Sequence, residues 1–360
     1  MRLPALSLET LMDNGYVNAR VRGMYSRLLD KKALSNLILK PDISSLITAL
    51  EETPYREDLE RALVGKPGLY GIEEALRQNL IRTIKKIAEF LQGERGERYI
   101  LIFSSRWDVH NLKTILRGKR IKVPTMQIRE NLVPAGEFDE SLLSELLKQA
   151  DVKGVIDLLS AWEVAYAIPL NQAFSEYNAH GDLFILENAL DRYYYEKAFS
   201  LVSGRSVEEH QIRDIIGTEI DLINIKSLLM MFRDHVDPLD AEPMLLDGGK
   251  IFNRKKLKVL LELGSAESLV EYLEDTPFRF LADLRSTEEN MLKISAYQHL
   301  LDEFLIRQAV RLYRGDPLSV TVVIGYLWAK YTEVMNLRII ARCKNALISP
   351  EDMEAEMVYV

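Results

Sequence analysis

A chain of 360 residues has room for two or three domains at roughly 100 to 200 residues each, and its 48% hydrophobic and 28% charged content excludes a disordered or collagen-like polymer. With 46 Lys and Arg against 54 Asp and Glu the formal charge is −8, which argues against attachment to nucleic acid through the net field and leaves that task to a local basic patch. The single cysteine, Cys343, has no partner for an internal disulfide and no companions for a structural zinc site, so a reducing compartment is the default.

In chain order, the opening residues Met1 to Glu9 lack a sustained apolar run with a small-residue cleavage site, so export is not expected and a cytoplasmic location is. Tyr16 to Lys40 then carries Arg20, Arg22, Arg27, Lys31, Lys32 and Lys40 against Asp30 alone. Ile72 to Leu91 has apolar residues at three- and four-residue steps (Ile72, Ala75, Leu76, Leu80, Ile84, Ile87, Ala88, Leu91) with Glu73, Arg77, Arg82 and Lys85 on other faces, the pattern of an amphipathic helix. Tyr99 to Phe103 is the best strand candidate and fits the start of a helix equally well. A second basic cluster follows at Arg117, Lys119, Arg120 and Lys122. Leu183 to Phe199, Leu257 to Leu263, Met291 to Tyr313 and Val320 to Leu347 repeat the helical pattern. Lys40-Pro41, Gly65 to Gly68, Val133 to Gly136 and Asp247 to Gly249 are turn signals between helical runs. The longest uncharged stretch, Pro317 to Ala329, is shorter than the roughly twenty residues a membrane-spanning helix needs. The expected fold class is all-α, with no membrane span.

Internal repetition is the strongest signal in the chain. The pattern acid-x-x-Asn-(Leu/Ile)-(Lys/Arg) occurs three times, as Asp108 to Lys113, Asp221 to Lys226 and Glu333 to Arg338, and its Asn residues 111, 224 and 336 are spaced by 113 and 112. Leu76, Leu190 and Leu301 keep the same period in comparable helices. Upstream, Leu46 to Tyr55, containing Thr53-Pro54, has a partner in Leu269 to Phe278, containing Thr276-Pro277; the intervening copy, Val155 to Trp162, is more diverged. Three helical units are expected, over residues 1–122, 123–240 and 241–360, each a small bundle because the period is too long for a solenoid repeat of about 20 to 50 residues.

On a helix the acid and the Asn three residues later share a face, while the following Leu or Ile points to the apolar stripe and the basic residue to another side. A buried Asn must find partners for its amide, so Asp108, Asn111, Lys113, Asp221, Asn224, Lys226, Glu333, Asn336 and Arg338 are expected to be structural, pinning a loop or neighbouring helix of the same bundle. The usual catalytic constellations are missing: Gly248-Gly249-Lys250 is too short to cradle phosphate and reads as a turn, and no H-E-x-x-H, G-x-S-x-G or C-x-x-C occurs. His110, His180, His210, His235 and His299 are too scattered for a local metal site, and each is expected at the surface or in a loop. Tyr193-Tyr194-Tyr195 could stack on bases but lies among Leu186, Leu190 and Phe199, which favours packing.

The stretch Tyr16-Val-Asn18-Ala-Arg20-Val-Arg22-Gly-Met24, the three acid-x-x-Asn helices and the segment Lys330 to Ile340 resemble the C subunit of archaeal and bacterial A/V-type ATPases, whose eukaryotic relative is the d subunit of the V-ATPase. The likeness covers nearly the whole chain; only the middle copy, without a clear Thr-Pro element, departs from its neighbours. It implies three bundles around a pseudo-threefold axis forming a funnel or socket. It implies, too, a non-catalytic rotor component without a cofactor, on the cytoplasmic side of a proteolipid ring, receiving the D and F subunits of the central stalk. The basic residues Arg20, Arg22, Lys119 and Arg120 are the expected partner-facing positions, with an ordinary solvated surface as the alternative. A helical scaffold for an unrelated protein would show the same periodicity. An enzyme would show a His, Asp and Glu cluster in one copy only, which is not seen, and nucleic-acid binding lacks a basic stripe with interleaved aromatics.

Overall fold

Short polar residues start many of the helices. Asp30, Asp42, Asp139, Asp151, Ser206, Asn253, Ser265 and Ser349 each sit at an N-cap with a side-chain oxygen accepting a first-turn backbone N–H. The computed structural model describes residues 8–94, 96–286 and 294–360, and among them no strand occurs, so the fold is all-α. In chain order the helices are α1 (Leu8–Tyr25), α2 (Lys31–Ile38), α3 (Ile43–Glu51), α4 (Arg56–Gly65), α5 (Leu69–Leu91), α6 (Glu97–Arg120), α7 (Thr125–Glu130), α8 (Glu140–Lys148), α9 (Val152–Ala161), α10 (Ala167–His180), α11 (Phe184–Leu201), α12 (Val207–Arg233), α13 (Pro238–Ala241), α14 (Arg254–Glu262), α15 (Ala266–Leu273), α16 (Ile294–Arg311), α17 (Thr321–Asn345) and α18 (Pro350–Ala355). 3-10 segments lie at Glu242–Met244, Arg279–Ser286 and Leu312–Arg314.

Tyr99 to Phe103, the strand candidate, falls near the start of α6. Its apolar residues do not alternate strictly: Tyr99, Ile100, Ile102 and Phe103 are buried while Leu101 is exposed, a helical spacing. The expected helix from Met291 begins outside the described residues, which resume within α16 at Ile294.

The chain divides into two compact units, residues 1–197 with 310–360, and residues 198–309. In the first, α5 is the central element: Ile72, Ala75, Leu76, Leu80, Ile84 and Ile87 are no more than 1% exposed, and α4 and α17 pack against it. Every residue of α17 from Thr321 to Lys330 is buried, which accounts for the long uncharged stretch: it is apolar all round because protein surrounds it. No helix among the described residues is long and apolar enough to cross a membrane. The other side of α17 takes α1, α2 and α3, so the first and last parts of the sequence share one core. Asn18 reinforces this by donating to the carbonyls of Pro317 (2.8 Å) and Ser319 (2.9 Å).

In the second unit α12 packs against α15, and Leu260, Leu269, Leu273, Phe278, Leu281 and Leu301 are fully buried. Phe252 stacks on Phe278 with centroids 5.8 Å apart, and Phe304 meets Phe278 edge-on at 5.5 Å.

Candidate functional site

The three acid-x-x-Asn segments lie in the long helices α6, α12 and α17. Asn111 donates from Nδ2 to the Val133 carbonyl (2.8 Å) and accepts the Val133 N–H at Oδ1 (2.7 Å). Asn224 exchanges the same two bonds with Leu246, both at 2.8 Å, and Asn336 with Val358 at 2.8 and 3.1 Å. In each case the partner is 22 residues further along the chain. A carboxamide carries a donor and an acceptor side by side, so it can satisfy both polar groups of one backbone residue, which an ionised carboxylate, having acceptors only, cannot.

The acids hold the following turn of the same loops. Asp108 accepts the Glu137 and Phe138 N–H groups, both at 3.0 Å, and Asp221 those of Ile251 (2.7 Å) and Phe252 (3.0 Å). The loops can sit on these carboxylates only because Gly136 and Gly249 lack a side chain; a Cβ at either would fall on the Asp oxygen. Burial outweighs the backbone bonds and raises each carboxyl to about 6.

Glu333 departs from this pattern. Its carboxylate accepts the Leu29 N–H at one oxygen; at the other it accepts the Tyr55 hydroxyl (2.6 Å) and the Lys330 ammonium (2.7 Å), which also donates to Tyr55 (2.8 Å). Desolvation pushes the Lys330 ammonium down and the Tyr55 phenol up. Tyr55 and Lys330 are absent from the expected set. The signal for Tyr55 was its place in Thr53-Pro54-Tyr55, matched by Phe278 in Thr276-Pro277-Phe278: each Thr hydroxyl donates to a carbonyl three residues back and accepts the N–H two residues on, burying the ring.

The basic residues of the pattern also differ. Lys113 pairs with Asp191 (2.5 Å) and Lys226 with Asp302 (2.6 Å). Arg338 has no ion pair among the described residues, and its buried Nε has no hydrogen-bond partner. It lines a cavity of about 280 Å³ together with residues of α5, α6 and α17.

The candidate partner-facing residues fall in two places. Arg20 bonds the Tyr16 hydroxyl (2.8 Å) and lies over the Phe90 ring at 3.9 Å, while exposed Arg22 lies 5.4 Å from the Tyr313 ring centre. Lys119 and Arg120 end α6 and donate to the carbonyls of Leu147 (2.6 Å) and Gly181 (3.4 Å). Tyr194 and Tyr195 are buried and Tyr193 packs on Tyr166 edge-on, so the tyrosine run offers no stacking platform. Among the described residues no three His, Cys, Asp or Glu side chains are placed to share a metal ion.

What these features define is a helical protein whose polar interior is given to holding its own loops. The sequence pattern of the ATP synthase (C/AC39) subunit family matches residues 17–356, and the chain belongs to that family. It is 31% identical over 351 residues to the C subunit of the A-type ATP synthase of Haloferax volcanii, covering 96% of this chain and 97% of that one. The corresponding C subunit of Halorubrum lacusprofundi is 32% identical, covering 95% and 97%, and that of Methanosarcina barkeri 29%, covering 96% and 92%.

Proposed function

We propose that this chain is a non-catalytic rotor subunit of an A-type ATP synthase, a socket on the cytoplasmic face of the membrane that joins the D and F central stalk to the proteolipid ring and carries torque between them. The family and the A-type ATP synthase relatives support the complex. The observation that carries the mechanical part is the joining of the first and last parts of the chain in one core: Glu333 holds Leu29 and Tyr55, and Lys344 donates to the Ile38 and Lys40 carbonyls. A coupler must resist deformation, and a close-packed interior of low compressibility, stitched between distant parts of the sequence, supplies that.

In this proposal the units 1–122, 123–240 and 241–360 are three bundles around a pseudo-threefold axis. Asn111, Asn224 and Asn336, with Asp108 and Asp221, keep the loops in place, while Glu333 ties α17 to Leu29 and Tyr55. Arg20, Arg22, Lys119 and Arg120 face the stalk or the ring, where opposite charge raises the rate and fixes the register of docking.

The test is calorimetric titration of the purified chain with the D and F subunits of the same source, with an unrelated helical repeat protein as control. Saturable one-to-one binding is the expected result. Failure of folded proteins to bind, with the isolated ring failing as well, would favour a scaffold for another partner. Charge reversal at the four basic residues is expected to weaken assembly, and unchanged assembly with both stalk and ring withdraws their role.

A further inference from the structure

Two of the three basic residues closing the acid-x-x-Asn pattern are matched by an aspartate: Lys113 by Asp191 and Lys226 by Asp302. Those aspartates directly follow Leu190 and Leu301 in the periodic helices, and the residue following the equivalent Leu76 is Arg77. The place of the third acid is therefore taken by a base. Arg77 is itself committed, donating to Glu74 (2.6 Å) and to the Leu132 carbonyl (3.1 Å), and its charge adds to the repulsion felt by Arg338.

The cavity that Arg338 lines has other charged residues on its wall, and they are paired. Lys66 meets Glu74 (3.3 Å) and Glu130 (3.6 Å), and Arg342 meets Glu73 (2.5 Å). Arg338 is half-buried, and burial pushes its guanidinium down without removing its charge, since arginine stays protonated in proteins. A second donor on the wall, the indole N–H of Trp107, is also without a hydrogen-bond partner, in a side chain 6% exposed. A desolvated guanidinium with unused donors is a strong site for a carboxylate, whose two oxygens match its fork.

We propose that this cavity is a carboxylate-binding site in which Arg338 takes, from outside the chain, the acid that Lys113 and Lys226 take from Asp191 and Asp302. The source is either a free small carboxylate or a glutamate or aspartate side chain of an adjoining protein, which share this chemistry.

The experiment follows the Trp107 indole N–H resonance of the full chain by nitrogen-15 NMR. The probes are sodium acetate, the capped amino acid N-acetyl-glutamate amide, sodium phosphate and, at matched ionic strength, sodium chloride. A saturable shift with either carboxylate and none with chloride is expected; acetate alone identifies a free carboxylate as the source, and the capped glutamate alone a protein side chain. Arg338→Gln should weaken binding by about tenfold or more, the loss of one charge-assisted pair, and Arg338→Lys by less. The proposal fails if neither carboxylate gives a saturable shift, if chloride gives the same one, if phosphate alone gives it, or if Arg338→Gln leaves it unaltered. The wild-type titrations decide the matter even if a variant does not fold.

Discussion

The Asn336 side chain and the Val358 backbone exchange two hydrogen bonds, as Asn111 does with Val133 and Asn224 with Leu246. Both members of each pair are buried. Asn224→Leu keeps the volume but orphans the Leu246 N–H and C=O together, and at about 1–3 kcal/mol for each unsatisfied group the expected loss is about 2–6 kcal/mol. Urea unfolding of the variant beside the wild type measures it. A loss under 0.5 kcal/mol (roughly the limit for an uninvolved surface site) would show that the loop does not depend on the amide.

Glycine is needed at Gly136 and Gly249 for a steric reason and not for backbone freedom, since neither has a positive φ. Gly136→Ala is expected to separate the Asp108 carboxylate from its loop and to cost stability at the upper end of single substitutions, about 3 kcal/mol or more. Gly23 in α1 is the contrast: nothing lies within 4 Å of its Cβ position, so Gly23→Ala should stabilise by up to about 1 kcal/mol through helix propensity. Thermal melts of the two variants should move in opposite directions.

The raised carboxyls of Asp108 and Asp221 give stability a specific pH dependence. An acid raised from 3.8 to about 6 contributes stability that is fully present below 3.8 and lost as pH rises through about 6. Glu74 works the other way: Arg77 and Gln78 overcome its desolvation and hold it at about 2, so its contribution is present above 4.5 and lost on further acidification. His110, whose proton affinity desolvation lowers, also opposes the aspartates near neutrality. The clean readout is therefore the difference between wild type and Asp221→Asn. That difference in unfolding free energy should grow in favour of the wild type as pH falls from 7 to 4.5; a flat difference would contradict the raised carboxyl.

Lys330 and Glu333 form a buried pair whose side chains are 6% and 4% exposed. Removing one charge strands the other, so Lys330→Met is expected to cost about 3–5 kcal/mol. The double variant Lys330→Met, Glu333→Leu should recover much of that, short of the Leu29 N–H that Glu333 also satisfies. A double-mutant cycle by urea unfolding measures the coupling, and additive losses would mean that the two charges do not depend on each other.

The helices were legible because their apolar residues keep a 3.6 period, and the three Asn residues because a repeated amide beside an apolar stripe must be bonded. Tyr99 to Phe103 was ambiguous because five residues are too few to separate a period of two from one of 3.6; burial on one side of α6 decides it. The acid pattern concealed a difference. Glu333 stands where the other copies have Asp, and the extra methylene goes with another task, reaching Leu29 and Tyr55 instead of a following loop. Nothing local in the sequence announces that, because the partners lie 304 and 278 residues away. The Arg338 cavity was hidden for the same reason: Leu76 followed by Arg77 signifies only beside Leu190-Asp191 and Leu301-Asp302, once the helices are placed.

The sharing of one core by α1 to α5 and α17 sets a condition on synthesis. Leu29 leaves the ribosome 304 residues before Glu333, and at roughly 5–20 residues per second the apolar face of α5 waits for α17 for tens of seconds. Residues 198–309, contiguous in sequence, have no such wait. The nascent chain thus carries an open hydrophobic surface through most of its translation, and this interval, before α17 closes the core, is the one in which that surface is accessible to other chains.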